Sequence, residues 1–172
     1  MLNKNSHIHL IGIGGVSMSG IAEILAERGF KVSGSDLKES KYLDLLRKYN
    51  IRLYLGHAAS NIKGADLIVK TSAIPDNNPE LEAARKNGIN IVKRAEMLSY
   101  LMRDKKTIAV AGTHGKTTVT AMLAAIFKKA KKDPAVMVGG FLKELKGNIA
   151  DGKGEYFITE ADESDGSFLY FN

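Results

Sequence analysis

The chain has 172 residues, 44% apolar and 26% charged, which is ordinary material for a folded protein: one large domain, or a small domain plus part of another. It has no cysteine, so disulfides, cysteine metal sites and thiol nucleophiles are excluded; no stretch approaches the length of a membrane span and the opening apolar run is too short for a signal peptide, so a cytoplasmic protein without a membrane partner is expected. The 25 basic and 19 acidic side chains leave a charge of +6, and with 7% aromatics and no basic–aromatic interleaving this favours small phosphorylated ligands over nucleic acid.

Residues 7–11 are an apolar run that predicts a first strand, followed by the glycine turn GIGGVSMSG and by Ile21, Ala22, Ile24 and Leu25 at helical spacing up to Gly29. A second strand is predicted over residues 30–34, ahead of Ser35 and Asp36. An acid about 20 residues after such a turn is where a dinucleotide site holds a ribose. The full G-x-G-x-x-G fingerprint needs glycine at 17, where Ser17 stands, which weakens a nicotinamide cofactor and the oxidoreductase reading that goes with it. A nucleotide-sugar diphosphate uses the same backbone amides and helix dipole, with Ser17 and Ser19 as hydroxyl donors to phosphate; the alternative is a Rossmann-like scaffold with no ligand here.

The alternation continues with a helix over 42–49, a strand over 51–55, Gly56 and His57 in the loop at its end, and a strand over 65–70. The turn TSAIP follows, in which Pro75 forbids a helix; Pro79 opens a helix through residue 86, and residues 89–92 and 95–102 read as strand and helix. Repeats of this length predict a parallel sheet covered on both faces, with Gly14, Asp36, His57 and Ser72 on its carboxyl edge. Each of the four also reads as a turn or capping residue.

Residues 103–106, RDKK, are a polar break read as a domain boundary, giving a first domain over 1–103 and a second over 104–172. The stretch TIAVAGTHGKTT then reads as strand, loop and helix. Gly112 and Gly115 let the loop turn its amides around an anion at the helix N-terminus, Lys116 reaches the outer phosphates, and the Thr117 hydroxyl suits a magnesium ion. The general pattern G-x-x-x-x-G-K-[ST] has glycine where this chain has Val110, so the match is to the shorter G-T-H-G-K-T-T. His114 is either a nucleotide contact or a solvated loop residue. Val119, Met122, Leu123 and Ile126 lie at core spacing on the helix, and Lys128, Lys129, Lys131 and Lys132 complement its carboxyl end. Residues 135–138 and 156–159 are further predicted strands. The second delivers Glu160, with Asp162 and Glu163 behind it, as candidate carboxylates for a loop-bound magnesium.

The segments GIGGVSMSGIAEIL, SGSD, TSAI, AGTHGKTT and TEADESDGSF, in this order and spacing, resemble the Mur ligase family along the whole chain. The resemblance implies an α/β protein: an N-terminal Rossmann-like parallel-sheet domain for the UDP-sugar, then the start of a P-loop ATPase domain. It implies a C-terminal amino-acid-binding domain that this chain is expected to lack, so that the chain alone binds nucleotide or UDP-sugar without catalysis. It also implies ATP and Mg²⁺, and UDP-N-acetylmuramate and L-alanine joined through an acyl phosphate in peptidoglycan precursor synthesis; a sister activity attaches a recycled tripeptide to the same sugar nucleotide. Carried over, Gly14, Gly15, Val16, Ser17, Met18, Ser19, Asp36, His57 and Ser72 become UDP-sugar candidates. Gly112, Thr113, His114, Gly115, Lys116, Thr117 and Thr118 become the ATP loop; Lys116, Thr117 and Glu160 become catalytic, with Thr117 and Glu160 as magnesium ligands.

Overall fold

A computed structural model describes residues 3, 5–142 and 147–161, so the candidate acids Asp162 and Glu163 lie outside the described residues. The chain divides into two compact units, Met1–Met97 and Leu98–Asn172. The division falls inside the helix Arg94–Met102, ahead of the polar break at 103–106.

The first unit runs β1 (His7–Ile11), α1 (Val16–Glu27), β2 (Lys31–Asp36), α2 (Lys41–Leu46), β3 (Ile51–Leu55), a 3₁₀ turn (Ala59–Ile62), β4 (Leu67–Lys70), α3 (Pro79–Lys86) and β5 (Asn90–Lys93), and α4 (Arg94–Met102) crosses the division. Helix starts follow from local chemistry: the Ser40 hydroxyl accepts from the Leu43 amide, and the Asn78 side chain accepts from the amides of Glu80 and Leu81 with Pro79 at the first helical position. The strands form one sheet in the order β3-β2-β1-β4-β5, every pair parallel. The order reverses beside β1, so the carboxyl ends of β1 and β4 form the topological switch point at which sheets of this kind bind ligands. Between sheet and α3 lies a core of Ile11, Ile62, Ala65, Ile68, Leu81 and Ala84.

β1 is buried along its whole length although it carries His7 and His9. Their period of two places both on one face, opposite Ser33 and beside Ser35 of β2, so a buried polar ladder crosses a sheet whose other buried strand positions are aliphatic or glycine. β2 runs to Asp36, two residues beyond the expected end, which makes Asp36 the last strand residue rather than a loop residue.

The second unit contains β6 (Lys106–Val110), α5 (Lys116–Lys129), β7 (Ala135–Leu142), β8 (Gly147–Ala150) and β9 (Tyr156–Glu160). Among the described residues its sheet is ordered β6-β9-β7-β8, with β8 antiparallel to β7 and the other pairs parallel. The expected core role of the α5 residues holds only in part. Leu123 and Phe127 pack with Ala124 against Val136, Val138 and Ile158, but Val119, Met122 and Ile126 are 45%, 60% and 61% exposed. The reason is angular: Thr120, Leu123, Ala124 and Phe127 hold the stripe that faces the sheet, and the other three fall on a neighbouring flank of the same helix.

Candidate functional site

In the first unit the glycine turn is tied down before any ligand is considered. The amides of Gly12 and Ile13 donate to the Ser35 carbonyl at 2.8 and 3.1 Å, and the Gly14 amide donates to Asp36 Oδ2 at 2.8 Å. The Ser40 hydroxyl donates to the Gly14 carbonyl at 3.0 Å. A Cβ on Gly14 would lie 2.9 Å from Asp36 Oδ2 and 3.1 Å from Ser40 Oγ, so glycine is required there by the chain's own side chains. Gly14 and Asp36 are thus brought together directly.

Gly15 leads into α1 without a capping side chain, and the amides of Ser17 and Met18 have no carbonyl one turn back within the helix. That end of the helix suits an anion. The Ser19 hydroxyl does not: it donates to the Val16 carbonyl at 2.8 Å, its amide donates to Gly15, and the residue is buried. Met18 is also buried, whereas Val16 and Ser17 are half-buried and Gly15 is exposed. Ser72 stands exposed in the turn after β4, and Thr71 and Ile74 of that turn lie 3.7 Å from where a Cβ on Gly12 would sit.

His57, after β3, leads inward to a carboxylate that sequence reasoning missed. Its Nδ1 is 2.9 Å from Ser35 Oγ and 3.3 Å from Glu80 Oε2, and Ser35 Oγ donates to the same Oε2 at 2.6 Å. Glu80 is fully buried; its Oε1 accepts from Asn61 Nδ2 at 2.7 Å and from the Ala58 amide at 3.4 Å. His9 Nε2 stands 3.6 Å from Oε2, an ion-pair separation rather than a hydrogen bond. Burial works against the charge on Glu80, but the nearby His9 and the bonds from Ser35 and Asn61 outweigh it and hold its pKa below the ordinary value. Behind it, Ser33 Oγ lies 2.8 Å from both His9 Nδ1 and His7 Nε2, and His7 Nδ1 donates to the Gly64 carbonyl at 2.9 Å. Burial pushes the His7 pKa down, against the opposing pull of the Gly64 carbonyl. The readable signal was the polar pairs His7/His9 and Ser33/Ser35 at period two inside buried strands, since buried polar groups need partners.

In the second unit the loop between β6 and α5 carries Gly115 in the left-handed region (φ 77°), which turns the chain into the helix without a capping side chain. Lys116 Nζ donates to the Gly112 carbonyl at 2.7 Å, closing the loop over itself. Thr113, His114 and Thr118 are exposed, and Lys116 and Thr117 half-buried. Glu160 is the register partner of Val110, where β6 enters the loop, and its Oε1 accepts from the Gly139 amide of β7 at 2.9 Å. A Cβ on Gly139 would lie 3.0 Å from Glu160 Oε2, and one on Gly140 3.7 Å from Thr117 Cγ2. The Gly139–Gly140 pair therefore lies against both Thr117 and Glu160, and a glycine doublet inside a strand was the available signal for it.

These residues fit a magnesium nucleotide: amides at a helix start, one lysine, one hydroxyl and one carboxylate. Among the described residues no three His, Asp or Glu side chains converge as a metal site.

Residues 7–106 match the family described as Mur ligase family, catalytic domain. The chain is 53% identical over 169 residues to the UDP-N-acetylmuramate--L-alanine ligase of Nitratidesulfovibrio vulgaris, covering 98% of this chain and 37% of that protein. It is 54% identical over 165 residues to the ligase of the same name from Clostridium acetobutylicum, covering 95% and 36%. The chain thus spans little more than a third of these relatives' length. The crystal structure of a UDP-N-acetylmuramate-alanine ligase from Thermotoga maritima superposes with a TM-score of 0.84 at 37% identity, over 90% of this chain and 37% of that one. A murein peptide ligase from Psychrobacter arcticus superposes with a TM-score of 0.90 at 27% identity, over 98% and 41%. Among the described residues no helix is long and apolar enough to cross a membrane.

Proposed function

The chain belongs to the Mur ligase family, and from that premise we propose that it carries the UDP-sugar site and the phosphate loop of a cytoplasmic, ATP-dependent ligase that joins L-alanine to the lactyl carboxylate of UDP-N-acetylmuramate. The observation that carries this reading lies in the second unit, where Thr117 and Glu160 lie against one glycine doublet and Lys116, beside Thr117 at the helix start, bonds the loop at Gly112. The choice of L-alanine over a tripeptide follows from degree of likeness: the relatives named for alanine are 53–54% identical, against 27% for the murein peptide ligase of equal fold.

A carboxylate is a poor electrophile and has to be activated before an amine can attack it. ATP is the co-substrate: a lactyl oxygen bonds to the γ-phosphorus as the bond to ADP breaks, and the amine of alanine then displaces phosphate from the carbonyl carbon while losing a proton. Lys116 leaves the Gly112 carbonyl for the phosphate oxygens, where its charge offsets what accumulates during transfer. Magnesium, held by the Thr117 hydroxyl and the Glu160 carboxylate, supplies further charge neutralisation when bound. The amides after Gly15 hold the UDP phosphates, and Asp36, held by the Gly14 amide through Oδ2, takes a ribose hydroxyl.

Separate calorimetric titrations of UDP-N-acetylmuramate, ATP with magnesium, and NADH test the reading. Binding of the first two and no binding of NADH is expected. Binding of NADH without the UDP-sugar would overturn it in favour of an oxidoreductase.

A further inference from the structure

Glu80 is a buried carboxylate that the chemistry above does not use, and hydrogen-bond direction gives it a role. An ionised carboxylate only accepts, so the 2.6 Å contact of Ser35 Oγ with Glu80 Oε2 uses the one proton that Ser35 owns. His57 Nδ1, 2.9 Å from the same hydroxyl, must then be the donor in that contact. The 3.3 Å approach of Nδ1 to Glu80 Oε2 demands the same proton. In the neutral ring the other nitrogen, Nε2, is left without hydrogen and can only accept.

We infer that Glu80, directly and through Ser35, is a positioning residue that fixes His57 as the Nδ1–H tautomer and so makes Nε2 an acceptor for an N–H or O–H group of the bound UDP-sugar. This rests on the reading of the β1–β4 edge as the UDP-sugar site. The carboxylate is anchored from its other side. Its Oε1 is held by Asn61 Nδ2 at 2.7 Å, so Oε2 is the atom left facing Ser35 and His57. Two donor groups of the ligand fit the inference, the imide N–H of uracil and a sugar hydroxyl.

Glu80→Gln gives the sharpest test, because Asn61 and the Ala58 amide select which end of the new amide faces them. They need an acceptor, so the glutamine carbonyl takes the Oε1 position and its NH₂ the Oε2 position. Ser35 then accepts from Gln and donates to His57 Nδ1, and the tautomer inverts to Nε2–H. Ser35→Ala retains the Nδ1–H form through the direct Glu80 contact.

The experiment is two-dimensional ¹H–¹⁵N spectroscopy of ¹⁵N-histidine in the full-length protein that carries this chain, paired with calorimetry of UDP-N-acetylmuramate. Expected are the Nδ1–H pattern for His57 in the wild type and in Ser35→Ala, and the Nε2–H pattern in Glu80→Gln. Affinity should fall about 10- to 100-fold in Glu80→Gln, with little further loss when Glu80→Gln is added to His57→Ala. UDP methylated at uracil N3 separates the two donors: a loss present in wild type and absent in His57→Ala assigns the imide, and equal loss in both assigns a hydroxyl. A wild-type Nε2–H pattern, or a folded Glu80→Gln protein that keeps Nδ1–H or full affinity, overturns the inference. Should Glu80→Gln not fold, the wild-type spectrum alone decides. A wild type that binds no UDP-sugar sinks the proposed function instead, and leaves the tautomer measurement standing.

Discussion

Gly14 and Asp36 hold one another, and this changes what a substitution at either would do. Because a Cβ on Gly14 would press on Asp36 and Ser40, Gly14→Val should distort the turn and abolish UDP-sugar binding through the protein's own side chains. Asp36→Ala should weaken binding less, by about 1–3 kcal/mol for one lost charge-assisted bond, measured by calorimetry. Equal affinity for wild type and Gly14→Val would remove the site from this edge. Lys116→Ala in the full-length protein should lower alanine-dependent phosphate release by about a hundredfold or more while UDP-sugar affinity stays the same, since its charge counts most as phosphoryl oxygens gain charge. Normal turnover would end the phosphate-loop assignment. Lys116 and Thr117 were legible because strand, loop and helix are contiguous in sequence. Glu80 was not, because its partners Ser35 and His57 come from β2 and from the loop after β3, and only the folded chain brings them to α3.

Strand pairing explains a second hidden relation. The contact between Gly139 and Glu160 arises from the parallel pairing of β7 with β9, which no local pattern announces. Gly139→Val should push the Glu160 carboxylate aside, lowering magnesium-dependent ATP turnover and leaving UDP-sugar affinity unchanged; unaltered turnover would mean that Glu160 need not sit there. In β1, read from sequence as an apolar run, the two histidines are one edge of a polar ladder. The ladder carries a pH signature. The folded pKa of His7 lies below its unfolded 6.5, so the unfolded chain binds the proton first, and stability is lost as pH falls below about 6.5. Glu80 acts in the same direction but from about 4.5 downward, because its folded pKa is also depressed. Thermal melts from pH 8 to 5 should show the His7 part of this fall in wild type and a flatter profile in His7→Gln. An identical slope in both proteins would exclude His7 as its source. The helices were legible to within a turn from their caps and periodicity, whereas β8, four residues without a β-branched run, was not.

The two sheets close in different ways along the chain. Every partner of β1, β2, β3, β4 and β5 lies before residue 94, so the first sheet is complete once β5 exists. In the second unit β6 pairs, among the described residues, with β9 alone, and residues 111–155 stand between them. A ribosome makes the chain from its N-terminus, and domains generally fold as units in that order. The first unit can therefore fold while the second is still being made, but β6 must wait unpaired until Tyr156–Glu160 has emerged. Arrested nascent chains that expose residues 1–110 should give a protease-resistant fragment ending near Met97 with β6 cut away, and resistance beyond it should appear only after Glu160 is out. If β6 were protected before β9 emerged, it would need another partner during synthesis, such as the ribosome surface or a chaperone that shields its apolar edge.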